Sequence, residues 1–254
     1  MSGEYLSGLR NVRSNFNEID TSNNGKLDTN EIAKAIKHKT VSNEGIKFLE
    51  NIIYNKANIT IQEIDIIINN TENLQILLTS KKLELTTKQL LDYSLVTGII
   101  NAENKRKSFL EKINIDGKTI GRGQLSQDAY NDVKKKFENE LESFLKINDI
   151  FDGKIPKSYS NVIGNQKAEE FIILAYLAIK INERIKDGRS PEDTLKFAIG
   201  IYHGGFNSLV IAQNKTNNLI NFLPIEPVLN ENNPDLLKYI NEVYDYYYKN
   251  KASE

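Results

Sequence analysis

Glu103 lies where a carboxyl group could act as a general acid. It follows Ile99 by four residues and Leu95 by eight, so a helix through this segment would put its carboxyl group on an apolar stripe. Burial there disfavours the ionised form, and a carboxylic acid that stays protonated near neutral pH can donate its proton to a leaving group. On spacing alone, a helix-end glutamate whose carboxylate reaches water is the simpler interpretation. The full stripe comprises Leu91, Leu95, Gly98, Ile99 and Ala102.

The sequence after Glu103 predicts a small β-hairpin and then a glycine-rich turn. Residues 114–121 contain an Asp116-Gly pair between β-branched residues, which is typical of a hairpin turn. The chain continues as Gly121-Arg-Gly-Gln124, followed by a helical pattern over residues 127–145. Asp116 is the natural second carboxylate for a cleft that contains Glu103. The same Asp-Gly pair is also a favoured turn, so Asp116 could simply shape the hairpin.

These features resemble the lysozyme-like core of goose-type lysozymes and lytic transglycosylases. In that family a catalytic glutamate precedes a Gly-x-x-Gln turn, and here Glu103 precedes Gln124 by 21 residues. A second block resembles the family's Asn-led helix and its Ala-x-x-x-Tyr-Asn-Ala-Gly pattern. The positions in register are Tyr176-Leu177, Ala198, Tyr202 and Gly205. The departures are His203-Gly204 in place of Asn-Ala, Asn104 in place of a serine, and Arg122-Gly123 in place of an apolar pair.

The resemblance implies an enzyme that cuts the glycan strand of bacterial peptidoglycan. Glu103 would protonate the glycosidic oxygen, and Tyr202 would point its hydroxyl at this acid and hold its orientation. Substrate contacts are expected from Gly121, Gly123, Gln124, Tyr202 and His203, the last more as a local structural donor than as a catalyst.

Three activities are compatible with this pattern. The expected one is a muramidase that hydrolyses the β-1,4 bond between N-acetylmuramic acid and N-acetylglucosamine, with Asp116 assisting Glu103. A lytic transglycosylase needs one acid, because a sugar hydroxyl attacks and leaves a 1,6-anhydro ring. The third is a calcium-dependent module that binds glycans without cutting them.

Residues 20–31 fit the twelve-residue calcium loop of an EF-hand at every constrained position. Gly25 stands at the sharp turn, and a helical pattern flanks the loop on both sides. The expected ligands are the side chains of Asp20, Ser22 and Asn24, the backbone carbonyl of Lys26, Asp28 through water, and both oxygens of Glu31. The sequence therefore predicts one Ca²⁺ site, against the simpler interpretation of an Asn-rich polar turn.

EF-hands usually pair, and the next stretch is expected to brace the first loop without binding metal. Aligning Glu63 with Glu31 places Ile59 opposite Leu27, at the position of the short β-bridge between paired loops. In this alignment Tyr54, Lys56 and Ala57 replace calcium ligands and the loop glycine.

The predicted fold is mainly α: an EF-hand-like helical pair over residues 1–80, then a lysozyme-like α+β domain with a small β-hairpin over residues 81–254. We expect one helix from about Thr87 that carries Glu103 at its end. Residues 150–160 are expected to form a polar loop near the cleft, with Asp152 and Tyr159. Residues 221–227 are expected to form an extended segment. Helix starts are predicted at Ser190-Pro191 and at Asn233-Pro234.

The composition argues against several classes of binding partner. The 254 residues include 33 basic and 34 acidic side chains, so no strong field favours nucleic acid or a membrane surface. There is no cysteine, and two histidines argue against a multi-histidine zinc site. The first residues lack a signal-peptide pattern. An enzyme that cuts cell walls without a signal peptide has to reach them by another route, and a contractile secretion system, passage through phage holins and excision from a longer polypeptide are all open. Among these we expect an antibacterial effector, a toxin or its catalytic fragment, that reaches the periplasm or cell wall of a target bacterium. The expected partners are peptidoglycan and an immunity protein, without membrane insertion.

Overall fold

The computed structural model describes residues 3–55, 58–106, 119–120 and 123–251. These residues are mainly helical, with two short antiparallel two-stranded sheets, which confirms the predicted mainly α class. The helices are α1 (Gly3–Ser14), α2 (Phe16–Ile19), α3 (Thr29–His38), α4 (Asn43–Asn55), α5 (Ile61–Leu78), α6 (Leu85–Leu90), α7 (Tyr93–Arg106), α8 (Gln127–Ile147), α9 (Gln166–Ile185), α10 (Pro191–Tyr202), α11 (Phe206–Thr216), α12 (Glu226–Asn232) and α13 (Pro234–Lys251). The strands are β1 (Lys26–Asp28), β2 (Asn58–Thr60), β3 (Thr119–Ile120) and β4 (Leu125–Ser126).

The chain forms two compact units that divide between Gln75 and Ile76, inside α5. In the first unit α1 packs against α4, and one apolar core includes Leu9, Phe16 and Phe48. Among the described residues of either unit, no helix is both long and apolar enough to cross a membrane.

The short sheet of the first unit joins its two loop regions. Leu27 of β1 pairs with Ile59 of β2, and both side chains are fully buried. This confirms the predicted register. The helix after each strand begins with the same reciprocal cap: Asp28 with Glu31, and Thr60 with Glu63. The starts of α3 and α5 therefore share the same local geometry.

The second unit is built around α9. Twelve of the helix's twenty residues are buried, so the helix is enclosed on all sides rather than amphipathic. Helices α6, α7, α8 and α10 pack against it, and α13 packs against α7 and α10. Phe144 of α8 stacks on Phe171 of α9, with ring centroids 4.2 Å apart. This central helix fixes the elements that carry the candidate catalytic residues.

Two predictions about secondary structure are wrong. The single helix expected from Thr87 is interrupted at Leu91, whose backbone is extended. A new helix, α7, begins at Tyr93, and the Asp92 carboxylate caps its start by accepting the Ser94 N–H at 2.6 Å. The segment expected to be extended instead forms a 3₁₀ turn (Leu223–Ile225) and α12. Pro224 and Pro227 lie in the first turns of these helices. Proline is tolerated there because a backbone N–H at that position has no carbonyl partner within the helix.

The predicted helix starts at Ser190-Pro191 and Asn233-Pro234 are confirmed. β3 pairs with β4 across the glycine-rich turn, in the register Ile120 to Leu125. Ser126 then caps α8 by accepting the Ala129 N–H at 3.1 Å. Asp116 and Gly121 lie outside the described residues, as do Lys56 and Ala57 of the first unit.

Candidate functional site

The carboxyl group of Glu103 is buried in the last turn of α7. The residue is 6% exposed, and Leu95, Ile99 and Ala102 of the predicted apolar stripe are buried with it. The interpretation in which this carboxylate simply reaches water is therefore wrong. Its hydrogen-bonding partner is the imidazole of His203: Nδ1 lies 3.1 Å from Glu103 Oε1.

His203 is held by a second contact as well. It follows the last residue of α10, and its ring stacks on the ring of Tyr239 in α13, with centroids 4.0 Å apart and planes at 16°. Its side chain is 30% exposed, compared with 8% for Glu103. The imidazole thus lies between the buried carboxyl group and solvent, and two different helices fix its position.

The glycine-rich turn contacts the end of α10 directly. The Tyr202 hydroxyl donates a hydrogen bond to the Gly123 carbonyl at 2.7 Å. A Cβ on Gly123 would lie 2.4 Å from Ile173 Cδ1 and 2.6 Å from the Tyr202 hydroxyl, so a glycine is needed for this close approach. Gln124 follows with a positive φ of 51° and is half-buried. The turn is therefore fastened to α9 and α10 by packing as well as by a hydrogen bond.

The resemblance implies that the Tyr202 hydroxyl points at the acid, but the hydrogen bond that this hydroxyl donates does not go to Glu103. That bond goes to the Gly123 carbonyl, and His203 takes the expected place beside Glu103. Burial of the Tyr202 hydroxyl raises its pKa well above the ordinary value, and nearby Tyr239, Tyr159 and Glu103 add to this effect. Tyr202 therefore remains a protonated hydrogen-bond donor across the physiological pH range.

An opening beside His203 exposes this region to solvent. It is lined by His203 together with Lys105, Asp235, Lys238 and Glu242. By contrast, Tyr159, expected in a polar loop near the cleft, is fully buried and packs on Tyr130 at 5.7 Å between ring centroids. The described residues thus bring together Glu103, Gly123, Tyr202 and His203, whereas Tyr159 belongs to the core.

The loop of the first unit has hydrogen bonds that arrange its oxygens. Asp20 accepts from the backbone N–H groups of Asn24 at 3.2 Å and Gly25 at 2.8 Å, and Gly25 has a φ of +77°. The Ser22 hydroxyl lies 3.2 Å from Asp20 Oδ1, while the Ser22 N–H donates to Glu31 Oε1 at 2.9 Å. The first, third and last of the predicted ligand positions therefore lie next to one another.

Glu31 closes this loop as a buried carboxylate. Burial opposes its ionisation, but hydrogen bonds from the N–H groups of Ser22 and Asp28 outweigh it and lower the pKa. A carboxylate binds Ca²⁺ in its ionised form, so this environment fits the role predicted for Glu31. No group of three or more His, Cys, Asp or Glu side chains that could hold a metal occurs among the described residues. The predicted calcium site also includes the neutral oxygens of Ser22, Asn24 and Lys26.

Two contacts at the site were not predicted from the sequence. Ile173 of α9 packs under Gly123, and Tyr239 of α13 carries the His203 ring. Neither residue belongs to a motif, and each differs little from other apolar or aromatic positions on its helix. Comparisons of this chain with protein-family models, curated proteins and solved structures gave no match.

Proposed function

We propose that this chain cleaves the glycan strand of bacterial peptidoglycan as a muramidase, with Glu103 as the general acid. One observation carries the proposal: a buried carboxyl group, a glycine-rich turn and a Tyr-His pair meet although they lie far apart in sequence. The link from Glu103 to His203 spans 100 residues, and the link from Gly123 to Tyr202 spans 79. This is the set of segments that the family resemblance assigns to the sugar cleft.

In the proposed reaction, Glu103 transfers its proton to the oxygen of the scissile glycosidic bond as that bond breaks. The Glu103 carboxyl group is buried, so this proton transfer would take place away from bulk water. The backbone of the Gly123-Gln124 turn borders the sugar, and the Tyr202 hydroxyl holds that backbone. Asp116 is proposed to assist by activating the attacking water or by stabilising the positively charged sugar.

A lytic transglycosylase is the alternative supported by a specific observation. Among the described residues, the partner of the Glu103 carboxyl group is the His203 imidazole, not a second carboxylate. A transglycosylase needs a single acid, because the sugar's own hydroxyl attacks in place of an activated water. The two reactions leave different products, so product analysis separates them.

We propose that calcium has a structural role in the first unit. The side chains of Asp20, Ser22, Asn24 and Glu31 would hold the ion together with the Lys26 carbonyl, and Asp28 would bind through water. When bound, the ion would tie the ends of the loop together. We also propose that the protein acts as an antibacterial effector on the wall of a target bacterium, because that is where its substrate lies.

Digestion of purified peptidoglycan followed by mass spectrometry of the muropeptides tests this function. Hydrolysis gives reducing N-acetylmuramic acid ends, and Asp116→Asn is expected to lower the rate. Products lighter by one water identify anhydro ends and would replace the muramidase by the transglycosylase. Intact glycan strands after incubation with folded, calcium-loaded protein would contradict both.

A further inference from the structure

A groove runs from the proposed acid along the line where α7 and α13 pack together. One part of it is the opening beside His203, and a second opening shares Lys105 and Glu242 with the first, so the two form one continuous groove. The openings have volumes of about 510 and 420 Å³, and sites for small ligands span about 300–1,000 Å³. The second opening is lined by Gly98, Asn101, Ala102, Asn104, Lys105, Glu242 and Tyr246.

The groove is long enough for a short extended peptide. Gly98, Asn101 and Lys105 lie three and then four residues apart in α7, so they share one face of that helix. This stretch of helix is about 10 Å long. An extended peptide advances about 3.3 Å per residue, so about three of its residues fit along it. The exposed amides of Asn101 and Asn104 both donate and accept hydrogen bonds, which suits a peptide backbone.

The charged side chains of the groove lie at its end near His203. Asp235 and Lys238 are three residues apart at the start of α13, and both are exposed. Lys105, two residues after Glu103, is exposed as well. Within the part of the chain that the structure describes, Asp235, Lys238 and Lys105 form no ion pair. Two ammonium groups and one carboxylate are therefore available to a ligand beside the proposed acid.

We propose that this groove binds the peptide stem that N-acetylmuramic acid carries, and that it prefers a stem that is not crosslinked. This inference rests on the proposed function, because it assigns a further part of the same substrate. A stem has carboxylate groups, and its crosslinking amine is a positively charged ammonium group until it is acylated. The carboxylates complement Lys105 and Lys238, and the free ammonium group complements Asp235. Crosslinking removes the charge that Asp235 attracts.

The position of the groove fits the place where the stem begins. In the proposed reaction Glu103 lies at the glycosidic bond of N-acetylmuramic acid, and the stem is attached to that same sugar ring. The groove begins at His203, whose Nδ1 is 3.1 Å from Glu103 Oε1. Among the described residues, Gly123 and Gln124 of the turn proposed to border the sugar line neither opening. Sugar and stem would therefore occupy different surfaces.

A pair of substrates that differ by one charge per stem tests the preference. One is endopeptidase-treated peptidoglycan with free stem amines, and the other is the same material after N-acetylation of those amines. We expect the kcat/KM of the wild type to be about fivefold higher for the free amines, which corresponds to one exposed ion pair. Asp235→Asn should bring this ratio close to one.

Asp245→Asn is the matched control for this experiment. Asp245 is exposed on the same helix as Asp235 but lines neither opening, so the ratio should equal that of the wild type. A wild-type ratio of one, or the same ratio in Asp235→Asn as in the wild type, would overturn the inference and leave the cleavage activity in place.

A binding measurement does not depend on catalysis. The tripeptide N-acetyl-L-alanyl-γ-D-glutamyl-L-lysine carries two carboxylates and one ammonium group, as an uncrosslinked stem does. Its NMR titration into the full-length protein should shift the backbone signals of the groove residues in α7 and α13. Lys105→Gln/Lys238→Gln should raise the dissociation constant about tenfold. The control Lys135→Gln/Lys186→Gln removes the same charge from exposed positions outside the groove and should not.

The outcomes of this titration separate the two proposals. No shifts at the groove with millimolar tripeptide, or an equal effect of the two double variants, would overturn the inference. Binding of the tripeptide at the groove without cleavage of either peptidoglycan substrate would instead contradict the proposed function alone.

Discussion

Replacing Gly123 by alanine would disturb the contact that fastens the glycine-rich turn to α9 and α10. The added methyl group would lie 2.4 Å from Ile173 Cδ1 and 2.6 Å from the Tyr202 hydroxyl. Carbon atoms in contact prefer a separation about 1 Å longer, near 3.5 Å. Ile173 is fully buried on a helix enclosed on all sides, so it has little room to move away.

We expect this overpacking to cost about 2 kcal/mol of the free energy of unfolding, within the usual range for methyl groups forced into a packed core. In a domain of this size that corresponds to a fall in the melting temperature of about 4–8 °C. The turn also borders the proposed cleft, and a shift of about 1 Å there should lower peptidoglycan cleavage tenfold or more. Calorimetry and a turbidity assay on purified cell walls measure the two effects.

Two variants check the cause. Ile173→Val removes the closest carbon and should cost about 1 kcal/mol alone, but little or nothing when Gly123 is already alanine. Gly98→Ala in α7 is the matched control: its methyl group would meet its nearest neighbour, the Val243 carbonyl oxygen, at 3.3 Å, so its cost should stay well below that of Gly123→Ala. Costs that simply add in the double variant, or a melting temperature unchanged by Gly123→Ala, would refute the steric argument.

Calorimetric titration should show that calcium binds at one site. At a free concentration 100 times its dissociation constant, calcium should add about 2.7 kcal/mol to the free energy of unfolding of the first unit. Glu31→Gln should abolish this gain, and a gain that persists in the variant would show that calcium binds somewhere other than this loop. In the second unit, Glu140 accepts hydrogen bonds from Ser80 at 2.6 Å and Lys82 at 2.8 Å. Burial opposes its ionisation, but these partners outweigh it and lower the pKa of Glu140. The stability that ionised Glu140 adds to the folded state is therefore present above pH 4.5, the ordinary pKa of a glutamate. This stability is lost as the pH falls through the lower pKa that Glu140 has in the folded state. Glu140→Gln should cost about 1 kcal/mol at pH 7, and the cost should shrink as the pH is lowered below 4.5, as measured by urea unfolding; a cost that does not change with pH would contradict this.

The sequence predicted best those features that are encoded locally. The geometry of the loop over residues 20–31 follows from side chains within one short segment, and the register of Leu27 with Ile59 follows from aligning two such segments. Helical spacing placed Glu103 on the apolar stripe, although spacing alone favoured a carboxylate that reaches water, and the structure buries the residue. The break before α7 could have been found as well, because Asp92 is a favoured helix cap.

The remaining features depend on contacts that no short pattern encodes. The pairing of His203 with Glu103 joins positions 100 residues apart, and the ring that supports it comes from the last helix. The role expected of Tyr202 differed for the same reason: its hydroxyl reaches the Gly123 carbonyl because Ile173 and the end of α10 bring that turn close. Side-chain identity shows what a residue can do, whereas packing decides which partner it has.

The most direct test of the central claim is peptidoglycan cleavage by Glu103→Gln. Glutamine keeps the size of the side chain and can still hydrogen-bond to His203, so the fold and the melting temperature should change little. It has no proton to donate as an acid, and removing a general acid typically lowers a rate by about 10²–10⁴-fold. The rate of turbidity loss should therefore fall to about a hundredth of the wild-type value or less. A folded variant that keeps more than about a tenth of that rate, far above what loss of an acid allows, would contradict the assignment of Glu103.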